Sequence, residues 1–231
     1  LSGTNTYSGT TSVTSGTLLV NGDSSGATGA INVSNGSILG GTGTVGGVVT
    51  ITSGTELQPG ENGVGTLTIE SNTIINGNLA FDIDGASADQ LTVVGDATAG
   101  DDVTLSGTVT FNVVTDPTES LITVIDNDGT ADSISTAFSN FAEGDTITLG
   151  TKSYRIFYNG GDGNDVVLVD AATPTVVYVD DAWVTGFNNG QVIADADLGT
   201  AGAQDAIFGV NAFGTLADAL ANATADATII N

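Results

Sequence analysis

Three segments of this chain repeat one pattern: TSGTLLVNG from Thr14, SNGSILGGTG from Ser34 and TSGTELQPG from Thr52. Their central glycines, Gly16, Gly36 and Gly54, are spaced 36−16 = 20 and 54−36 = 18 residues apart. A near-constant period of this size, with no helical stretch inside it, predicts a β-solenoid. One turn of backbone cannot bury its apolar side alone, whereas stacked turns share a continuous core. The spacing therefore sets the expected fold class as all-β, with coils of about 18–20 residues each advancing the stack by roughly 4.8 Å.

The local pattern agrees. Leu18 and Val20, Ile31 and Val33, Val49 and Ile51, Leu67 and Ile69, and Leu79, Phe81 and Ile83 each alternate with polar residues. Period two places each set on one side of a strand. Gly-rich corners such as Gly40-Gly41-Thr42-Gly43 allow sharp reversals. No ten-residue helical pattern interrupts this region, so a parallel stack is expected in place of a sheet with crossover helices. From Val103 to Val169 the strands lengthen. In TKSYRIFY, Tyr154, Ile156 and Tyr158 share one face while Ser153, Arg155 and Phe157 share the other, and such bulk suits the end of a stack.

The expected organisation is a repeat unit over residues 1–170, a linker over 171–175 containing Pro174, and a second unit over 176–231. The second unit holds the chain's one helical pattern, FGTLADALANATAD. Phe213, Leu216, Ala217 and Leu220 lie at i, i+3, i+4 and i+7, and Thr215 with Asp218 forms a variant capping box. A cap helix is expected near 215–224.

Charge excludes several functions. There are 27 acidic residues against 2 basic ones, Lys152 and Arg155, for a net charge of −25. Nucleic-acid binding needs a basic footprint, and anionic membranes need the same. The acidic surface reads as a solubilising coat, or as one that condenses Ca²⁺ in salty surroundings. Cysteine and histidine are absent, which removes disulfides, thiol chemistry and Cys-based zinc sites. There is no methionine, signal peptide or apolar membrane run, so the expectation is an internal or processed piece of a longer protein, with no membrane insertion within it.

The run LSGTNTYSGTTSVTSGTLLVNG, continued by ILGGTGTVGG, ELQPGENGVGTLTI and GGDGNDVVL, resembles the autotransporter-associated β-strand repeat over roughly Leu1 to Val169. The resemblance implies a right-handed parallel β-helix and a large bacterial protein, secreted or displayed at the cell surface. VVYVDDAW through FGTLADALANATADATII is similar to the opening of a second, pectate-lyase-like β-helix, in which a short helix caps the first coil.

Among site candidates, GGDGNDVVL, Gly160 to Leu168, matches a calcium-binding nonapeptide in which Asp162 and Asp165 supply oxygen ligands. Such rolls share each ion between consecutive repeats, and one copy is present, so a plain Asp/Asn/Gly turn is the competing reading. Asp82/Asp84, Asp101/Asp102, Asp126/Asp128 and Asp180/Asp181 are paired acids. Glycoside hydrolysis uses two carboxylates, but no histidine, thiol or cluster of cations supports catalysis here. Lys152, near Arg155, offers either an isopeptide crosslink or a surface ion pair. Tyr178, Trp183 and Phe187 read as packing of the second unit, with sugar stacking as the alternative.

The function expected is non-enzymatic: a rigid β-helical stalk or adhesin of a large extracellular bacterial protein, spanning on the order of 40 Å in its first unit. Its partners are other copies end to end, building a filament, or glycans and proteins of a host or neighbouring cell surface. The alternative is the non-catalytic front part of a polysaccharide-acting β-helix enzyme.

Overall fold

The computed structural model describes residues 1–61, 63–94, 103–127, 134–194, 196–197 and 205–230. Among these the chain is all-β, apart from one short α-helix, Leu216–Asn222, and a 3₁₀ turn, Asp181–Val184.

Successive strands of the first unit visit three sheets in rotation. The first sheet holds Thr11–Val13, Ile31–Val33, Val49–Ile51, Thr73–Ile75 and Val103–Leu105, all parallel. The second holds Thr17–Leu19, Ile38–Gly41, Glu56–Pro59, Asn78–Asp84 and Thr108–Thr115, again parallel. The third runs through Asp23–Ser24, Thr44–Val45, Thr66–Ile69, Gln90–Val93 and Leu121–Asn127. Register is strict where it matters: Ile31, Val49, Thr73 and Val103 form one column, and Val33, Ile51, Ile75 and Leu105 the next. Every member of both columns is buried, and the intervening residues face outward. Period-two patterning and stacking thus converge on one aliphatic core.

The coils lengthen along the stack. Thr11 pairs with Ile31 and Ile31 with Val49, steps of 20 and 18 residues, as expected. Val49 then pairs with Thr73 and Thr73 with Val103, steps of 24 and 30, and Leu91 pairs with Ile125, a step of 34. Part of the added length is a hairpin in which Asp84 pairs with Ser87 across Gly85. The first sheet consequently has five rungs, about 20 Å at ~4.8 Å per rung, while the third sheet with its closing strands has eight strands, about 34 Å, near the span expected of the unit.

Glycine columns let the corners stack this closely. A Cβ on Gly29 would overlap the carbonyl of Gly9, and one on Gly47 would overlap the carbonyl of Gly29. Gly107 stands against Gly77 in the same way at another corner. Only glycine admits the neighbouring backbone at these points.

The stack closes with antiparallel strands. Asp165–Asp170 pairs with Leu121–Asn127, Lys152–Gly160 pairs with it in turn, and Thr146–Leu149 forms the edge. Tyr154, Ile156 and Tyr158 share one face as expected, and that face is the one turned to the core, with all three buried. The Tyr154 hydroxyl donates to the Glu119 carbonyl at 2.6 Å, and the Tyr158 hydroxyl donates to that of Phe141 at 2.8 Å. Asn140 finishes the second sheet with its side-chain amide, which donates to the Val109 carbonyl (2.8 Å) and accepts from the Val109 N–H (3.0 Å). One primary amide replaces the missing strand.

In the second unit, Val176–Val179 lies between Ala212–Phe213 and Thr228–Ile230, parallel to both. Val192–Ile193 and Ala206–Ile207 form a separate antiparallel pair. The helix begins where the sequence placed it: Thr215 is the N-cap and its hydroxyl oxygen accepts from the Asp218 N–H at 3.2 Å. The Asp218 carboxylate accepts from the Thr215 hydroxyl at 2.6 Å. The buried face is not the expected one. Ala219 packs on Val177 and Phe213, while Leu216 and Leu220 are 52% and 62% exposed. A helix this short lies close against the sheet, and alanine fits that contact where leucine would hold it away.

The two units are joined by packing. Phe157, Val167 and Val169, on the outer face of the closing strands, meet Leu121, Ile207 and Val210. Asp165 through Val169 are consecutively buried, since this strand has a core on each side.

Candidate functional site

The turn Gly160 to Asp165 brings its two aspartates into different surroundings. Asp162 is exposed, whereas Asp165 is buried and accepts from the backbone N–H of Asn127 at 3.0 Å and from that of Asp162. Burial pushes the Asp165 carboxyl up to about 6 against the lowering effect of these bonds, and the charges of Asp162 and Asp126 add to the rise. The carboxylate fills the place where a Cβ on Gly161 would stand. This arrangement ties the turn to the end of the strand Leu121–Asn127. Among the described residues no group of three or more acidic side chains is placed to hold a metal ion.

A second buried carboxylate, missed by sequence reasoning, does similar work inside the stack. Asp89 accepts from the Gly65 N–H at 2.7 Å and from the Asp82 N–H at 2.8 Å, and is completely buried. It bridges two successive coils at a corner. Burial raises its carboxyl to about 6, with the two N–H bonds opposing and the Asp82 charge assisting. The only sequence signal is an Asp that directly precedes a strand, too common to single out.

Of the paired acids, Asp82 and Asp84 serve as rungs of polar ladders. Asp82 accepts from the Asn112 amide of the next coil at 2.8 Å, and Asp84 from the Thr115 hydroxyl. Asn78 links Glu56 below, at 2.9 Å, to Thr110 above, at 2.9 Å. Asp180 caps the 3₁₀ turn by accepting from the Ala182 N–H at 2.9 Å, with Asp181 in its first turn. Asp101, Asp102 and Asp128 lie outside the described residues.

The two cations differ. Lys152 lies 3.5 Å from the Asp170 carboxylate as a surface ion pair. Arg155 faces the second unit. Of the three aromatics, Tyr178 is buried and Trp183 packs beside it, whereas Phe187 is 36% exposed and stacks on Phe208 with ring centroids 5.9 Å apart.

A concavity of about 540 Å³ runs along the corners between the first and second sheets, lined by Gly36, Gly54, Asn76, Ser106 and Ser139 among others. Its floor hydroxyls are engaged inward: Ser37 lies 2.5 Å from the Ser34 carbonyl and Thr55 lies 2.6 Å from that of Thr52. The groove is polar, and its one charged lining residue, Glu56, accepts from the Asn78 amide at 2.9 Å.

Compared with known proteins, the chain matches no family model, no curated protein and no solved structure. No described helix is long and apolar enough to cross a membrane.

Proposed function

We propose that this chain is a non-enzymatic, rigid segment of a large extracellular bacterial surface protein of the autotransporter-associated repeat kind, wound as a right-handed parallel β-helix. The three-sheet rotation with strands in register supports the winding. Its hand follows from the strong preference for right-handed connections between parallel strands of one sheet. The observation that carries the function is the closing strand Asp165–Asp170, buried between the core of the stack and the packing of the second unit. Two units that share a doubly covered sheet cannot pivot on the 171–175 linker. A stalk or adhesive arm needs that stiffness, because reach is lost wherever a joint bends.

The outer ladders of Asn, Asp and Thr give such an arm a flat polar flank for contact with other macromolecules. The ladder role of Asp82 and Asp84 leaves this reading ahead of the enzyme alternative. Small-angle scattering of the purified chain tests rigidity: one elongated body is expected, and an ensemble of two independently tumbling lobes would contradict it. Surface placement is tested by antibody labelling of intact cells that carry the full-length protein, where staining only after permeabilisation would refute it.

A further inference from the structure

Arg155 is the chain's one arginine, and among the described residues its guanidinium has no hydrogen bond or ion pair, although the chain carries 27 acidic residues. It lies on the outer face of the strand Lys152–Gly160, half-buried, and lines a cavity of about 310 Å³ between that strand and the second unit. The other walls include Asn189, Phe208, Phe213, Asp218 and Asn222. Asp218 is held at the helix start by the Thr215 hydroxyl and makes no ion pair with Arg155. The cavity therefore presents one positive charge, one carboxylate already engaged by the Thr215 hydroxyl, two side-chain amides and two aromatic rings.

We propose that this cavity binds the carboxylate group of a small ligand, anchored by Arg155. A guanidinium offers paired N–H donors that match the two oxygens of a carboxylate. Arg155 makes no ion pair with Asp218, so its donors are open to one carboxylate group. A phosphate monoester, at about −1.5 to −2, would leave excess charge beside Asp218. The volume is at the lower end for ligand sites, enough for a molecule of one ring or one amino acid. Asn189 and Asn222 supply neutral hydrogen bonding, and Phe208 and Phe213 supply apolar wall. The acidity of the rest of the molecule does not forbid the contact, because salt screens distant charges over about 8 Å while the guanidinium meets its ligand directly.

The two sources of such a group are an acidic sugar and the terminal carboxylate of a peptide. A single arginine makes the test clean, since the whole chain gives one arginine Nε–H signal in a ¹⁵N-correlated spectrum. Glucuronate, N-acetylglycine and glucose are titrated separately to about 10 mM, the weak-binding range expected of so small a ligand. The expected result is a saturable shift of the Arg155 signal with at least one carboxylate and none with glucose. A shift with glucuronate alone assigns an acidic sugar, and a shift with N-acetylglycine alone assigns a chain terminus. Arg155→Gln should weaken binding at least about tenfold, followed through shifted backbone amides of the second unit. Arg155→Lys, which keeps charge and fold, should weaken it by less. No response to either carboxylate, an equal response to glucose, or full binding by Arg155→Gln overturns the proposal.

Discussion

The parallel stack and the C-terminal unit use similar residues with opposite results. In the stack, each leucine, isoleucine or valine on the inner face sits over its counterpart one coil below, so burial is cumulative: Leu39, Leu57, Leu79 and Val109 form one column, all essentially inaccessible. In the second unit, strands of two to four residues surround two small clusters, and Leu216 and Leu220 face outward. Stacking in register, more than apolar content, turns a hydrophobic residue into a core residue. The difference is open to direct mutational attack.

The largest effect belongs to a column. Leu57→Ala should lower stability in urea by about 2–5 kcal/mol, the cost of a cavity in a site that cannot collapse. Leu220→Ala should change it by no more than about 0.5 kcal/mol. Equal losses would mean that the two regions do not differ in packing.

Acid sharpens the comparison next, because Asp89 is sealed inside the stack. Its folded carboxyl titrates near 6, above the ordinary value of 3.8, so the folded protein holds this proton more tightly than the unfolded chain. The resulting stabilisation is fully present below about pH 4 and is lost as pH rises through about 6. Thermal stability should therefore rise on acidification from pH 7 to 4.5, by up to about 2–3 kcal/mol from this group. Asp165 adds in the same direction. Asp89→Asn should flatten that slope. An unchanged slope in the variant would trace the pH dependence to the general relief of charge repulsion.

A smaller gain is expected at Asn127. Its side chain continues the column of Val45, Ile69 and Val93, is 1% exposed, and among the described residues neither of its polar atoms has a hydrogen-bond partner. Asn127→Val should stabilise by about 1–2 kcal/mol, because it removes unmet polar groups and extends an aliphatic column. Destabilisation would reveal a role for the amide that burial alone does not explain.

The smallest effect is calcium at the turn. With Asp165 already bonded to two backbone N–H groups, millimolar calcium should move the melting temperature by less than about 1 °C. A larger rise, absent in Asp165→Ala, would favour the calcium loop at Asp162 and Asp165.

Much of the stack was legible because its rules are local. Alternation placed Ile31, Val33, Val49 and Ile51 inward, the glycine spacing gave the first two coil steps, and the bulk of Tyr154, Ile156 and Tyr158 marked the closing end. What escaped depends on the chain's neighbours. The longer coils keep register at their strands and add residues elsewhere, so a period read from Gly16, Gly36 and Gly54 could not follow them. The column Gly9, Gly29 and Gly47 shows itself only once the coils are stacked. Leu216 and Leu220 fit a helical stripe, yet the fold gives that stripe no surface to cover and buries Ala219 instead. Alternation sets Phe157 on the face opposite Tyr154, Ile156 and Tyr158, but does not show that the second unit covers that face as well. The Asp89 lock and the Arg155 cavity are assembled from residues far apart in sequence, and no spacing announces them.

The winding itself is tested by cysteine pairs, since the chain has no cysteine of its own. Asn32 and Thr50 are register partners on adjacent rungs of the first sheet, and Ile74 is the partner of Thr50 one rung further. Adjacent rungs place Cα atoms about 4.8 Å apart, within disulfide reach, and the second step places them about 9.6 Å apart, beyond it. Mild oxidation should crosslink Asn32→Cys/Thr50→Cys nearly completely and leave Asn32→Cys/Ile74→Cys reduced. The reverse outcome, or crosslinking of neither pair in a folded protein, would contradict the stacked coil.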